Sequence, residues 1–198
     1  MARIAGVTPE ETRAKLIDAA ATVFANKGYE RATVAEIARE AGTTNGAIYT
    51  HYEHKAELLV DAMRVHLDQS LEAIAPADWD NAKSLLTALA TRLIQREDRG
   101  STLLLEGLAA ARRDPALAEV LASALTEREQ FMTALLAESQ ARGELTGDVQ
   151  ADAASRFMLM LSLGSLFVES LGMEPIAPDA FENVIRRGMV AFVTGDDQ

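Results

Sequence analysis

The sequence predicts an all-α protein: an N-terminal three-helix head built on a helix-turn-helix, then a C-terminal helical bundle, about nine helices together. Three observations carry this. Apolar residues recur at helical spacing along almost the whole chain, the signature of helices with one buried face. No run alternates with the period of two that a half-buried strand needs, and there is no internal repeat or low-complexity tract. Helix starts are written as capping residues, and glycine or proline follows most periodic runs.

The first helix opens at Thr8-Pro9-Glu10-Glu11, with Thr as N-cap, Pro at the first helical position and Glu at the third. Leu16, Ala19, Ala20, Val23 and Phe24 form its apolar face, and Gly28 ends it. Thr33 with Glu36 makes a second capping box, ahead of Val34, Ile37, Ala38 and Ala41. The turn Gly42-Thr43-Thr44 leads into a short third helix, Asn45 to His51. A fourth runs from Lys55 to Ile74, its first turn served by Glu57, with Leu58, Leu59, Ala62, Val65 and Leu67 available to pack. After a connector over 76–81, helices are expected over 82–96 and 102–113. Asp114-Pro115 is an N-cap and first-turn pair opening a long helix to Ala141. Gly143 and Gly147 punctuate a loop, Val149 to Leu171 forms the most apolar helix, and a last helix follows Pro175 and Pro178, from Asp179 to Val193.

The stretch from Thr33 to Tyr52, TVAEIAREAGTTNGAIYTHY, is the most telling. Ala38 is small enough for a second helix to cross closely. Gly42 stands where the chain must turn with φ > 0. Ile48 can plug the angle between the two helices. That spacing is a helix-turn-helix, whose second helix enters a DNA major groove. Thr44, Asn45, Ala47, Tyr49 and His51 then lie on the face opposite Ile48 or at its edges. Asn45 can pair with a base edge, Ala47 can touch a thymine methyl, and Gly46 lets the helix backbone approach closely.

Charge refines this reading. The chain carries −11 with a pI near 4.7, which should repel phosphates. Residues 1–55 nevertheless hold seven Lys/Arg against seven Asp/Glu, so the whole excess of acid lies in residues 56–198. A neutral head on an acidic body binds DNA through a local basic face, and the body limits non-specific binding. There are no cysteines, which fits a reducing cytosol and leaves no thiolate metal site. The N-terminus has no apolar run of a signal peptide. Phe157 to Val168 is too short for a bilayer span of ~20 residues and is interrupted by Ser162, Gly164 and Ser165.

The run TRAKLIDAAATVFANKGYERATVAEIAREAGTTNGAIYTHYEHKAELLVDAM resembles the DNA-binding domain of the tetracycline-repressor (TetR) family over residues 11–63. Phe24, Gly28-Tyr29, Thr33, Ile37-Ala38, Ala41-Gly42, Gly46, Ile48-Tyr49, Tyr52, Lys55 and Leu58-Leu59 carry the likeness. It implies a DNA-binding domain over 1–54 and a ligand-binding and dimerisation domain over 55–198. Thr33, Tyr49, His51 and Lys55 fall at the family's phosphate-contacting positions, leaving sequence choice mostly to Thr44, Asn45 and Ala47. Asn45 and Ala47 replace the Lys and Thr common among relatives, so base preference does not carry over.

Phe157-Met158-Leu159-Met160-Leu161 is apolar on every side, so one face packs inward and the other needs a partner chain. In the family, the last two long helices of each subunit build a four-helix dimer interface. Leu159, Leu163 and Leu166 are assigned to that face, with Phe181, Ile185, Met189 and Phe192 from the last helix. A dimer presents two recognition helices to a palindromic operator. The bundle is expected to hold an effector pocket with Phe131, Leu135, Phe157, Met158 and Leu161 as walls. Glu106, Ser162, Ser165 and Glu169 would orient a polar end. The implied protein is a cytoplasmic, ligand-responsive regulator, a repressor released by a small apolar or amphipathic effector. An activator or a ligand-independent regulator is the alternative, and a helical carrier or enzyme a distant one. No phosphate-binding loop, dinucleotide fingerprint, zincin or nucleophile-elbow motif occurs, all three histidines lie between residues 51 and 66, and no metal, cofactor or membrane partner is expected.

Overall fold

The computed structural model describes residues 8–74, 99–145, 148–172, 177, 180, 183–185 and 187–188. They hold seven helices and, among the described residues, no strand: α1 (Pro9–Lys27), α2 (Val34–Glu40), α3 (Asn45–Tyr49), α4 (Lys55–Ile74), α5 (Arg99–Ala111), α6 (Pro115–Ala141) and α7 (Ala151–Ser170). The helix expected over 82–96 and most of the last one lie outside the described residues.

The caps form as the sequence spells them. Thr8 Oγ1 accepts from the Glu11 amide while the Glu11 carboxylate accepts from the Thr8 amide, closing the box that starts α1. Thr33 and Glu36 repeat the arrangement at α2. Gly42 adopts φ +65° just past α2, where its amide donates to the Arg39 carbonyl and that of Thr43 to the Ala38 carbonyl. This pair of bonds is the Schellman closure, and an L side chain at Gly42 would strain it. At α4, Glu57 Oε2 accepts from the amides of Glu53 and His54, so a carboxylate within the first turn satisfies donors just ahead of it.

The chain divides into two compact units, residues 1–68 with 98–123 and residues 69–97 with 124–198. The expected boundary after residue 54 falls inside the first. In that unit Leu16, Ala20 and Phe24 of α1 are fully buried, with Ile37 of α2, Ile48 of α3, and Leu58 and Leu59 of α4. Leu103, Gly107 and Leu117 continue the buried set into α5 and α6. α5 lies close on α4 because its facing residues are small. A Cβ built on Gly100 would stand 2.8 Å from the Leu67 backbone nitrogen, and one on Gly107 would only touch Leu59 at 3.5 Å. In the second unit Leu136, Leu145, Ala154, Met158 and Ile185 form the core, and Met132, Val149, Ala151 and Leu161 pack partly against it. Arg156 of α7 donates through Nε and Nη2 to both carboxylate oxygens of Glu129 on α6, each at 2.6 Å, a bidentate pair linking the two helices.

Candidate nucleic-acid interface

The short helix α3 is held from below and bare above. Ile48 is 2% exposed and anchors it. Thr44 caps it, its hydroxyl accepting from the Ala47 amide at 3.3 Å. Thr44, Asn45, Gly46, Thr50 and His51 face solvent, Ala47 is half-exposed, and Tyr49 is 57% exposed. A five-residue helix contributes too few backbone bonds to persist alone. Its position is set by its neighbours, and its outer face is uncovered among the described residues.

The far end of α3 is pinned by a polar ring. The buried Tyr52 donates its hydroxyl to Asp61 Oδ2 of α4 at 2.9 Å, and Arg13 of α1 donates to the same carboxylate and to the Tyr52 oxygen. Burial first, then the bond to Asp61, pushes the Tyr52 phenol up to about 12, while Arg13 lowers it. The bonds to Tyr52 and Asp61 raise the Arg13 guanidinium further above its ordinary range. One interaction thus ties together α1, α4 and the turn after α3.

Thr33 stands exposed at the start of α2, with its hydroxyl bonded to Glu36. Lys27 holds the Glu36 carboxyl down at about 2, helped by the amide and hydroxyl of Thr33. Lys55 departs from the expectation of a free phosphate-contacting ammonium. Its Nζ donates to the carbonyls of Tyr29 at 2.6 Å and Ala32 at 3.0 Å, and sits 4.2 Å from the centroid of the Tyr29 ring. Burial pushes this ammonium below its ordinary range, against the opposing pull of Asp114 and Glu30. Two of its three protons are therefore spent inside the protein, holding the α1–α2 connection to the start of α4. Sequence spacing carries no trace of this, because the two carbonyls lie 26 and 23 positions away. Among the other head cations, Arg13 and Lys27 are paired with Asp61 and Glu36, while Lys15, Arg31 and Arg39 face solvent.

The residues assigned to the effector pocket scatter. Phe131 and Phe157 are 64% and 52% exposed, which removes them as walls of a cavity within one subunit. Met158 is buried in the core of the second unit with Leu161 against it, and Leu135 is half-buried. The Ser165 hydroxyl donates to the Ser162 carbonyl one turn back. Glu106 is not a free polar guide: its Oε2 accepts from the Tyr29 amide at 3.1 Å in the first unit. The side chain of Glu169 lies outside the described residues.

The side chains assigned to a dimer face are not the exposed ones of α7. Leu166 is 3% exposed and Ile185 belongs to the second unit's core, so neither is available to a partner, and Leu159 and Leu163 are half-buried. The uncovered stripe of α7 is Phe157, Met160, Gly164 and Phe167, at spacings of three and four, with Val168 beside it and the exposed Leu171 just past the helix end. Where every residue of a helix is apolar, periodicity has no contrast and cannot say which side turns out. Phe181, Met189 and Phe192 lie outside the described residues. The window Ala151–Val168 has a mean hydropathy of 1.3 and the length to cross a membrane, with Asp152 and Arg156 within it.

Residues 16–62 match the profile of bacterial regulatory proteins of the tetR family. The chain is 32% identical over 155 residues to the HTH-type transcriptional regulator TtgR of Pseudomonas putida, covering 74% of each chain. The fold is shared with GusR of Salmonella enterica at a TM-score of 0.72 and 21% identity, over 94% of this chain and 97% of that one. It is shared with SmeT, solved as a triclosan complex, at a TM-score of 0.69 and 24% identity, over 94% and 93%.

Proposed function

We infer the function from a settled premise: the chain belongs to the tetR family of bacterial regulatory proteins and is a DNA-binding transcriptional regulator. The reading we propose is a cytoplasmic repressor that grips a palindromic operator as a homodimer and lets go when a small effector binds. The observation that carries the DNA contact is α3, whose one buried residue is Ile48 and whose opposite side is exposed. Asn45 and Ala47 read base edges, Gly46 brings the backbone in, and Thr44 borders them. Thr33, Tyr49 and His51 hold phosphates, joined by the solvent-facing Arg39. Lys55 supports these contacts from inside, through the carbonyls of Tyr29 and Ala32.

A second copy of the chain is the partner for the outward stripe of α7. Phe157, Met160, Phe167 and Leu171 are large apolar side chains left exposed, and their burial is favoured. Twofold pairing across it would present two recognition helices to one duplex. For the effector, the triclosan in the SmeT complex supports an apolar or amphipathic small molecule. Met158, Leu161 and Leu135 are the side chains of the assigned set that remain on the inner side.

Selection of bound fragments from a random duplex pool tests the reading. A recovered inverted repeat with centres about one helical turn apart, or a multiple of it, is the expected result. Recovery of no preferred sequence, or of a single half-site bound one chain per duplex, overturns it.

A further inference from the structure

We propose that Tyr29 is a positioning residue for DNA binding, the strut through which the first turn of α6 and the start of α2 move together. The proposal rests on the DNA-reading function above and adds to it a route by which that function is controlled.

Tyr29 is buried between elements distant in sequence and bonded through each of its polar groups. Its amide donates to Glu106 of α5 at 3.1 Å. Its hydroxyl donates to Asp114 Oδ2 at 2.9 Å. Its carbonyl accepts from Lys55 at the start of α4, whose ammonium also lies over its ring. The ring itself packs on Phe24 with centroids 5.8 Å apart. One residue thus touches α1, α4, α5 and the approach to α6.

The two ends of this chain of bonds matter most. Asp114 is the N-cap of α6: its Oδ1 accepts from the amides of Ala116 and Leu117, both at 3.1 Å, while its Oδ2 holds the phenol. A single carboxylate therefore cannot turn with α6 without pulling on Tyr29. At the other end, Lys55 grips the carbonyl of Ala32, and Thr33, the next residue, caps α2. The pair of Arg113 with Glu30 runs alongside. α6 begins at Pro115, directly after Asp114, so a change that rotates its first turn reaches the strut directly. Nothing in the connection from Gly28 to Ala32 is regular secondary structure, so these bonds, not a helix ladder, fix its path.

Reciprocal linkage makes this testable without knowing the effector: if α6 biases DNA binding, DNA binding must bias the first turn of α6. The probe is the duplex recovered by selection. Amide hydrogen exchange is read at Ala116 and Leu117 with and without it, in the full-length protein, in Tyr29→Phe and in Asp114→Ser. Phe keeps the ring, its packing on Phe24 and the carbonyl for Lys55; Ser keeps a capping oxygen and loses the reach to the phenol. In the wild type, exchange at both amides should slow by roughly fivefold or more on binding duplex, the lower range of such couplings. In both variants the protein should still bind the duplex, and that slowing should disappear. A merely structural role would shift exchange equally in free and bound protein. Equal duplex-dependent slowing in Tyr29→Phe, or none in a wild type that binds duplex tightly, overturns the strut and leaves the DNA reading standing. Failure to recover any bound duplex removes both.

Discussion

Replacing Gly46 by alanine separates what the fold needs from what the DNA needs. Gly46 is exposed within α3, does not adopt a positive φ, and a Cβ built on it meets only the Thr44 hydroxyl at 3.8 Å. The chain itself therefore gives no reason for glycine there. Glycine in a helix interior costs about 1 kcal/mol relative to alanine, and less near an end. Gly46→Ala should stabilise the protein by ~0.5 kcal/mol, raising Tm by about 1–2 °C for a chain of this size. The opposite holds for binding. If backbone at Gly46 packs against the groove, an added methyl pushes α3 outward and lengthens the Asn45 contact. Loss of one good base contact is worth about 1–3 kcal/mol, or roughly a five- to 150-fold weaker complex. Thermal melts and fluorescence anisotropy on the selected duplex at fixed salt measure the two effects. An unchanged Kd in a stabilised variant would refute the close approach, and a destabilised variant would refute the local geometry.

Gly100→Ala carries the reverse expectation: its Cβ would stand 2.8 Å from the Leu67 nitrogen and 3.0 Å from the His66 carbonyl carbon, backbone that cannot step aside. Overpacking of this kind costs about 1–3 kcal/mol, so Tm should fall, and a melt matching wild type would contradict the close α4–α5 crossing. Glu36 is held at about 2 in the folded state against 4.5 ordinarily, so it contributes stability above pH 4.5 that is lost as pH falls toward 2. Glu36→Gln should therefore flatten that part of the acid limb in a pH series of melts, and an identical limb would argue against the Lys27 pair. Met160→Glu places a charge on a residue that is 65% exposed in one chain. It should leave the helix content unchanged and convert the proposed dimer to monomer in sedimentation, whereas a dimer of unaltered stability would move the interface elsewhere.

The head was legible in the sequence because its signals are local. Capping boxes span three residues, the Schellman turn needs one glycine, and Ala38, Gly42 and Ile48 keep their spacing whatever surrounds them. The polar struts were not legible. Tyr29 meets Glu106 and Asp114 across 77 and 85 positions, and only the packing of α5 and α6 brings them together. Lys55 matched a familiar position, but its protons were already committed to two carbonyls. On α7 the difficulty was lack of contrast: with Phe, Met and Leu on every side, the assigned stripe of Leu159, Leu163 and Leu166 stood about one residue out of register from the exposed one. The acid in the body was plain from composition, while the pairing of head cations with Asp61 and Glu36 was not.

The division of labour within α3 makes a last, sharper claim. Five residues cannot hold a helix by their own hydrogen bonds, so the rigidity that base reading requires is imported through Ile48, the Thr44 cap and the Tyr52–Asp61–Arg13 ring. Stability and specificity should then be carried by different side chains of the same turn. Ile48→Ala removes a buried anchor and should cost about 2–5 kcal/mol, as core truncations do, with duplex binding lost because the helix is no longer held. Asn45→Ala removes an exposed side chain that makes no hydrogen bond among the described residues and should change stability by less than about 0.5 kcal/mol. Its effect belongs to the duplex: discrimination at one base pair should relax by roughly five- to 150-fold, with affinity for a substituted site little altered. Melts paired with binding to a panel of single-base variants separate the two. If Asn45→Ala weakened every duplex equally, Asn45 would be holding backbone, and base choice would have to be sought at Thr44 and Ala47.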